Sequence, residues 1–200
     1  MITVASPLAL GSASPRRKEL LERIGIPLVV APVDIDERRL AGENPEDYLA
    51  RVTARKLELA SRDPRAAGAA AVLAADTIVL LGDEIMGKPE GEGSAVAMLS
   101  RLSGRAHQVR TRFALARPGG PPLYAETVST LVHFRALDAE EIARYAATGE
   151  GRDKAGAYAI QGIGSFAVSG IEGSYSNVVG LPICEVVLAL KRHGCLSSFP

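Results

Sequence analysis

Cysteine is nearly missing from this chain of 200 residues, with Cys184 and Cys195 the only two. Two thiols cannot build a disulfide framework, and their spacing fits no zinc pattern. Reduced thiols and a cytoplasmic protein are the natural reading. An excess of charge of one sign is missing too, since 23 basic and 23 acidic residues give a formal net charge of zero. No whole-molecule field then draws the protein to nucleic acid or to an acidic membrane, and any phosphate site must be local. Aromatic residues make up only 4% of the chain, too few for the stacking surfaces of an RNA-binding module. The opening "MITVASPLAL" lacks the basic and apolar regions of a signal peptide. The most apolar run, Ala66 to Gly82, carries Asp76 near its middle. Hydrocarbon would penalise that charge, so a buried strand is the expectation there.

Several catalytic signatures are also absent. No G-x-x-x-x-G-K-[ST] phosphate loop occurs, no G-x-G-x-x-G fingerprint follows a strand, and no G-x-S-x-G elbow supports a serine hydrolase. His107, His133 and His193 have no metal-ligand spacing. No repeat or low-complexity tract breaks the chain. Its 47% hydrophobic and 23% charged residues suit one globular domain with a proper core.

Strand-like and helix-like segments alternate, which argues for an α/β or mixed α+β architecture. "PLALGS", "IPLVVAPV", "AAVLAADTIVLL" and "EIMGKP" read as strands, and "AHQVRTRFALARP" with "LYAETVSTLVHFRAL" as an antiparallel pair. Helices are expected from Ser14 with Pro15, from Asn44 with Pro45 to about Arg62, near Ser94 to Leu102, from Asp138 with Glu141 to Gly149, and from Pro182 to Gly194. Hairpins mixed with αβ units imply a mixed sheet.

Four features concentrate chemistry. "GSASPRRKELLERIG" places Arg16, Arg17 and Lys18 in the first turn of a helix, an end that already carries partial positive charge. An incoming anion would resolve that conflict; a solvated basic face is the plainer explanation. Asp76 within an apolar strand must be paired, protonated or metal-bound, unless the strand ends there. Lysine is scarce, five residues against 18 arginines, which suggests that Lys56, Lys88 and Lys154 are kept where a compact ammonium is needed; codon bias explains the ratio equally well. Finally, "DKAGAYAIQGIGSFAVSGIEGSYSNVVGLP" sets Asp153, Gln161, Tyr175 and Asn177 among glycines, either for close backbone approach to a ligand or as two strands with tight turns.

Together these segments resemble the Maf family of nucleoside triphosphate pyrophosphatases. "GSASPRRKELL" is similar to the family's S-x-S-P-R-R-x-x-L-L, "DIDE" ending at Glu37 to its first acidic motif, and "AADTIV" and "IMGKP" to A-D-T-x-V and G-K-P. "YLARVTARKLELA" resembles Y-x-x-R-x-A-x-x-K-A, with Thr53 ahead of the alanine and Leu57 in place of the last one. "LSGRAHQVRT" and the long carboxy-terminal signature, "YAATGEGRDKAGAYAIQG" with "IEGSYSNVVGLP", also match. Gly11 and Ala159 stand where Ala and Gly are usual.

The resemblance implies a single domain over residues 1–200, a twisted mixed sheet flanked by helices, with two lobes around a deep cleft as in Maf and ITPase-like proteins. It implies hydrolysis of a nucleoside triphosphate between the α and β phosphates. Asp76 is then the proton acceptor and Lys88 a second catalytic group. Ser12, Arg16, Arg17 and Lys56 face the phosphates, while Glu37 and Asp76 hold a divalent cation, Mg²⁺ or Mn²⁺. "YAIQG" is like the subgroup acting on dTTP and UTP, with Arg16, Thr77 and Gln161 at its specificity positions. A homodimer in the cytoplasm, with no nucleic-acid polymer or membrane as partner, is also implied. A 7-methyl-GTP pyrophosphatase and a non-catalytic nucleotide-binding regulator of septum formation are the alternatives.

Overall fold

The computed structural model describes residues 1–197. Seven strands form one mixed sheet. These are β1 (Leu8–Leu10), β2 (Leu28–Val30), β3 (Ala71–Leu81), β4 (Glu84–Met86), β5 (Ala106–Ala116), β6 (Pro122–Phe134) and β7 (Val168–Glu172). The order is β2-β1-β3-β5-β6-β7, with β4 paired to β3. β1 runs parallel to both β2 and β3, whereas the β3–β4 and β6–β7 pairs are antiparallel. The helices are α1 (Pro15–Arg23), α2 (Pro45–Ser61), α3 (Glu92–Leu102), α4 (Ala139–Ala147), α5 (Tyr175–Val179) and α6 (Ile183–Arg192). This is the mixed α/β architecture expected from the alternation of segments.

The chain divides into two compact units. The first comprises residues 1–76, 111–128 and the chain from Gly180 onward. Its part of β3 is covered on both faces, which is why the sequence there is continuously apolar rather than alternating. Ala71, Leu73 and Ala75 point to one face and pack with Leu21 of α1 and Val186 and Leu190 of α6. Val72 and Ala74 point to the other and pack with Leu57 and Ala60 of α2. Small residues on this second face let α2 lie close to the sheet. A Cβ added at Gly11 would come within 2.6 Å of Ala60 Cβ.

The second unit comprises residues 77–110 and 129–179. Its core joins Val79 and Met86 to Leu99 and Leu102 of α3, Ile142 and Tyr145 of α4, and Phe134 and Tyr158. His107 lies among these rings, edge-on to Phe134 and to Tyr158. The glycine-rich segment after α4 is neither a ligand loop alone nor a pair of strands. It contains two short 3-10 turns, at Ala155–Ala157 and Ile163–Ala167, then β7 and α5.

The capping signals hold. Ser14 Oγ accepts from Arg17 N, Asn44 Oδ1 from Asp47 N, and Asp138 with Glu141 forms a complete capping box. Two helix starts shift. α3 begins at Glu92 rather than near Ser94, because its cap is Gly91, which has no side chain to announce it. Pro182 is the cap of α6 rather than its first residue. Among the described residues no helix is long and apolar enough to cross a membrane.

Candidate active site

β1 stops at Leu10, level with Val30 of β2 and Leu73 of β3, while β3 continues to Leu81. Asp76 therefore stands on the stretch of β3 that outruns its two parallel neighbours. Strand alternation turns its side chain to the face of Val72 and Ala74, the face that α2 covers. Lys56 is on α2, one residue ahead of Leu57 and one turn ahead of Ala60, both packed on that face. Its ammonium meets the Asp76 carboxylate at 2.6 Å and the Glu37 carboxylate, from the loop after β2, also at 2.6 Å. Lys56 and Asp76 are each only 8% exposed, and burying such groups is costly unless they are paired. Of the alternatives open for Asp76, which were pairing, protonation or a metal, the structure shows pairing, with Lys56.

Ser12 and the start of α1 lie just beyond the carboxyl end of β1. Arg17 is buried, and its guanidinium donates to Ala75 O at 2.8 Å, Gly180 O at 2.8 Å and Ser12 Oγ at 3.1 Å. The fork thus ties α1 to β3 and to the turn before α6. Burial pulls the Arg17 pKa down; the Asp76 charge opposes that, the neighbouring Arg16 charge adds to it, and the Glu37 charge opposes it. Arg16 is half-buried in the same first turn. No acidic residue occupies that turn; Lys18 pairs with Glu22 one turn further on, at 3.5 Å.

Tyr48 opens the motif that α2 carries. It lies eight residues before Lys56, on the same stripe of α2 as Val52 and Lys56. Burial pushes its hydroxyl pKa up to about 12, helped by the negative charges of Asp76 and Glu37. The i, i+4, i+8 spacing of Tyr48, Val52 and Lys56 was the available signal.

Ser12, Arg16, Arg17, Glu37, Lys56 and Asp76 all belong to the first unit. Thr77, Lys88 and Gln161 belong to the second. Thr77 is the next residue of β3 after Asp76, Lys88 is exposed after β4, and Gln161 is half-buried between the two 3-10 turns. Of the other polar residues in the glycine-rich segment, Asn177 is fully buried and donates to Val109 O and Thr130 Oγ1, a structural role. Among the described residues no group of three or more His, Cys, Asp or Glu side chains could hold a metal ion.

The model of the Maf-like protein family matches residues 7–193. The chain belongs to the Maf-like family. Similar Maf relatives include the dTTP/UTP pyrophosphatase of Myxococcus xanthus, 53% identical over 94% of this chain and 92% of that protein. The dTTP/UTP pyrophosphatase of Geotalea uraniireducens is 48% identical over 98% of this chain and 100% of its own length. The match therefore takes in β1, α1, α2, β3 and the glycine-rich segment together. The solved structure of the Staphylococcus aureus Ham1 protein is similar over 64% of this chain and 71% of that one, with a TM-score of 0.41 and 12% identity.

Proposed function

We propose that this protein hydrolyses dTTP and UTP to the monophosphate and pyrophosphate, acting in the cytoplasm as a homodimer. The observation that carries the reading is the buried Asp76 carboxylate held at 2.6 Å by Lys56, with Glu37 on the same ammonium. Such an acid is held in a fixed orientation, as a base that takes a proton from water must be. Names carried by relatives such as those of Myxococcus xanthus and Geotalea uraniireducens support the substrate class.

In the reaction, a water oxygen attacks the α phosphorus while Asp76 accepts its proton. The bond from that phosphorus to the bridging oxygen breaks, and pyrophosphate departs with the electron pair. Lys56, Lys88 and Arg16 neutralise phosphate oxygens. Arg17 keeps Ser12 and the first turn of α1 in place beneath them. Preorganised charge of this kind supplies most of the catalysis in phosphoryl chemistry. Thr77 and Gln161 read the base, the Gln161 amide offering one donor and one acceptor to a uracil or thymine edge.

The residues present fit a divalent cation that is shared with substrate. Asp76 and Glu37 would hold it, offering hard oxygen donors already gathered on one ammonium, in keeping with the preference of hard ions for one or two carboxylates alongside substrate phosphates. Mg²⁺ or Mn²⁺ bound there would withdraw charge from the phosphates under attack. Reaction in ¹⁸O-labelled water tests the whole reading. The label is expected in the monophosphate, with pyrophosphate as co-product; release of inorganic phosphate and a diphosphate would overturn it.

A further inference from the structure

Gln161 sits on a short arch whose two feet are fastened by the same pair of side chains. Two residues before it, Ala159 N donates to the Tyr145 hydroxyl at 3.2 Å. Two and three residues after it, Ile163 N and Gly164 N donate to Glu150 Oε1 and Oε2 at 2.9 and 2.8 Å. The fasteners are joined to each other, since the Tyr145 hydroxyl donates to Glu150 Oε2 at 2.9 Å. Tyr145 comes from α4 and is 4% exposed in the core of the second unit. The arch is thereby anchored to packed structure rather than left as a surface loop.

The fit around this pair is close on every side. Gly162 has a φ of +86°, and a Cβ there would fall 2.3 Å from Glu150 Oε1. A Cβ at Gly164 would fall 2.4 Å from Ala159 O and 2.5 Å from the Tyr145 hydroxyl. The glycines flanking Gln161 thus let the backbone come down onto the carboxylate and the phenol. Lys154 supports the other side of the turn by donating to Glu150 O at 2.8 Å. Glycine density in this segment, which suggested close approach to a ligand, is used at Gly162 and Gly164 for close approach to the protein's own Tyr145 and Glu150.

We propose that Tyr145 and Glu150 are positioning residues for base selection: by pinning both feet of the arch they fix where the Gln161 amide is presented. The proposal rests on the reading of Gln161 as the residue that meets the base. Side chains that set the geometry of a recognising group contribute to selectivity without touching the ligand. A Gln on an arch free to shift by about 1 Å could exchange donor and acceptor partners, and would no longer separate a thymine or uracil edge from a cytosine edge.

Glu150→Ala and Tyr145→Phe are compared with wild type and with Gln161→Ala in one panel of dTTP, UTP, CTP and GTP. Amide hydrogen exchange is followed at Ala159, Ile163 and Gly164. The expected result is faster exchange at Ile163 and Gly164 in Glu150→Ala and at Ala159 in Tyr145→Phe. The preference for dTTP over CTP should fall by about tenfold in both, carried by KM rather than kcat, which corresponds to the loss of roughly one hydrogen bond. Inhibition by inorganic pyrophosphate, which engages only the phosphate groups, should stay at the wild-type level. Glu150→Gln, which keeps one acceptor oxygen, should fall between wild type and Glu150→Ala. Should Glu150→Ala fail to fold, Tyr145→Phe carries the same test. Unchanged amide exchange, or a uniform drop in kcat for every base with the ranking intact, overturns the proposal. A ranking altered in Gln161→Ala but not in the other two overturns the clamp alone. A ranking unaltered in Gln161→Ala removes the base-reading role of Gln161 and with it the role of the clamp in selection.

Discussion

At the scale of single residues, Asp76 was the most legible part of the site, because a carboxylate inside an apolar run demands a partner. Its partner was less so. Nothing in the spacing of residues 56 and 76 says that α2 will lie on the face of β3 that Asp76 shares; lysine scarcity points to Lys56 without a partner, and Glu37 rests on the family resemblance alone. Arg17 was read as facing phosphate, and the structure spends three of its hydrogen bonds on Ser12 and on two carbonyls. Those carbonyls are distant in sequence, so no local pattern could announce them. Two substitutions follow from this geometry. Asp76→Asn should keep the fold and lower kcat by about 10²–10⁴-fold, as loss of a general base does; a variant with half the wild-type rate would leave Asp76 only a structural role. Lys56→Met should destabilise the protein by about 3 kcal/mol, because it strands the buried Asp76 charge. Urea unfolding at pH 7 measures that loss, and the double variant Lys56→Met with Asp76→Leu should recover part of it.

At the scale of elements, the starts of α1, α2 and α4, each with a polar cap, were readable, and the start of α3, with a bare glycine, was not. Ser14, Asn44 and Asp138 each supply the oxygen that satisfies an early backbone amide. The central strand was readable from its apolar length. The region after α4 was not, because glycines there serve contacts made by the fold rather than turns made by the chain. The approach of α2 to β1 belongs to the same class. Gly11→Ala would bring a methyl group to 2.6 Å from Ala60 Cβ, and neither a short side chain nor a helix backbone can yield cheaply. The expected cost is about 1–3 kcal/mol. Because Lys56 rides one turn away on the same helix, kcat should fall as well. Thermal unfolding and steady-state rates of Gly11→Ala check both, and wild-type stability would show that α2 has room to move.

At the scale of the whole molecule, one buried histidine sets an acid limit on stability. His107 is 2% exposed, with its Nε2 at 2.8 Å from the Tyr158 hydroxyl. Burial lowers its pKa to about 4, with a smaller push from the His133 charge. The unfolded chain, with an ordinary histidine near 6.5, takes up the proton first as the pH falls. The stability due to neutral His107 is therefore complete above about pH 6.5 and is lost between there and about pH 4, by up to about 3 kcal/mol. Urea midpoints at pH 7, 6, 5 and 4 should trace that decline. His107→Gln should be less stable at pH 7 but should follow a shallower curve. Equal slopes in the two proteins would assign the decline to the carboxylates instead.

The three-way contact of Lys56 with Asp76 and Glu37 also determines how the protein rests between turnovers. The ammonium is a built-in counter-ion, standing between the two acids that the proposed reaction lends to a divalent ion. Under that proposal the site would not need an ion in order to stay folded, since the repulsion between its acids is already cancelled from within. Exhaustive chelation should then abolish hydrolysis yet leave the melting temperature within about one degree, because an ion that adds little to the native state shifts unfolding little. Activity should return on mixing with Mg²⁺, without the delay that refolding would impose. A melting temperature that collapses on chelation would mean that the lysine does not do this job. On that reading the chain can wait, folded and idle, until nucleotide and ion arrive as one.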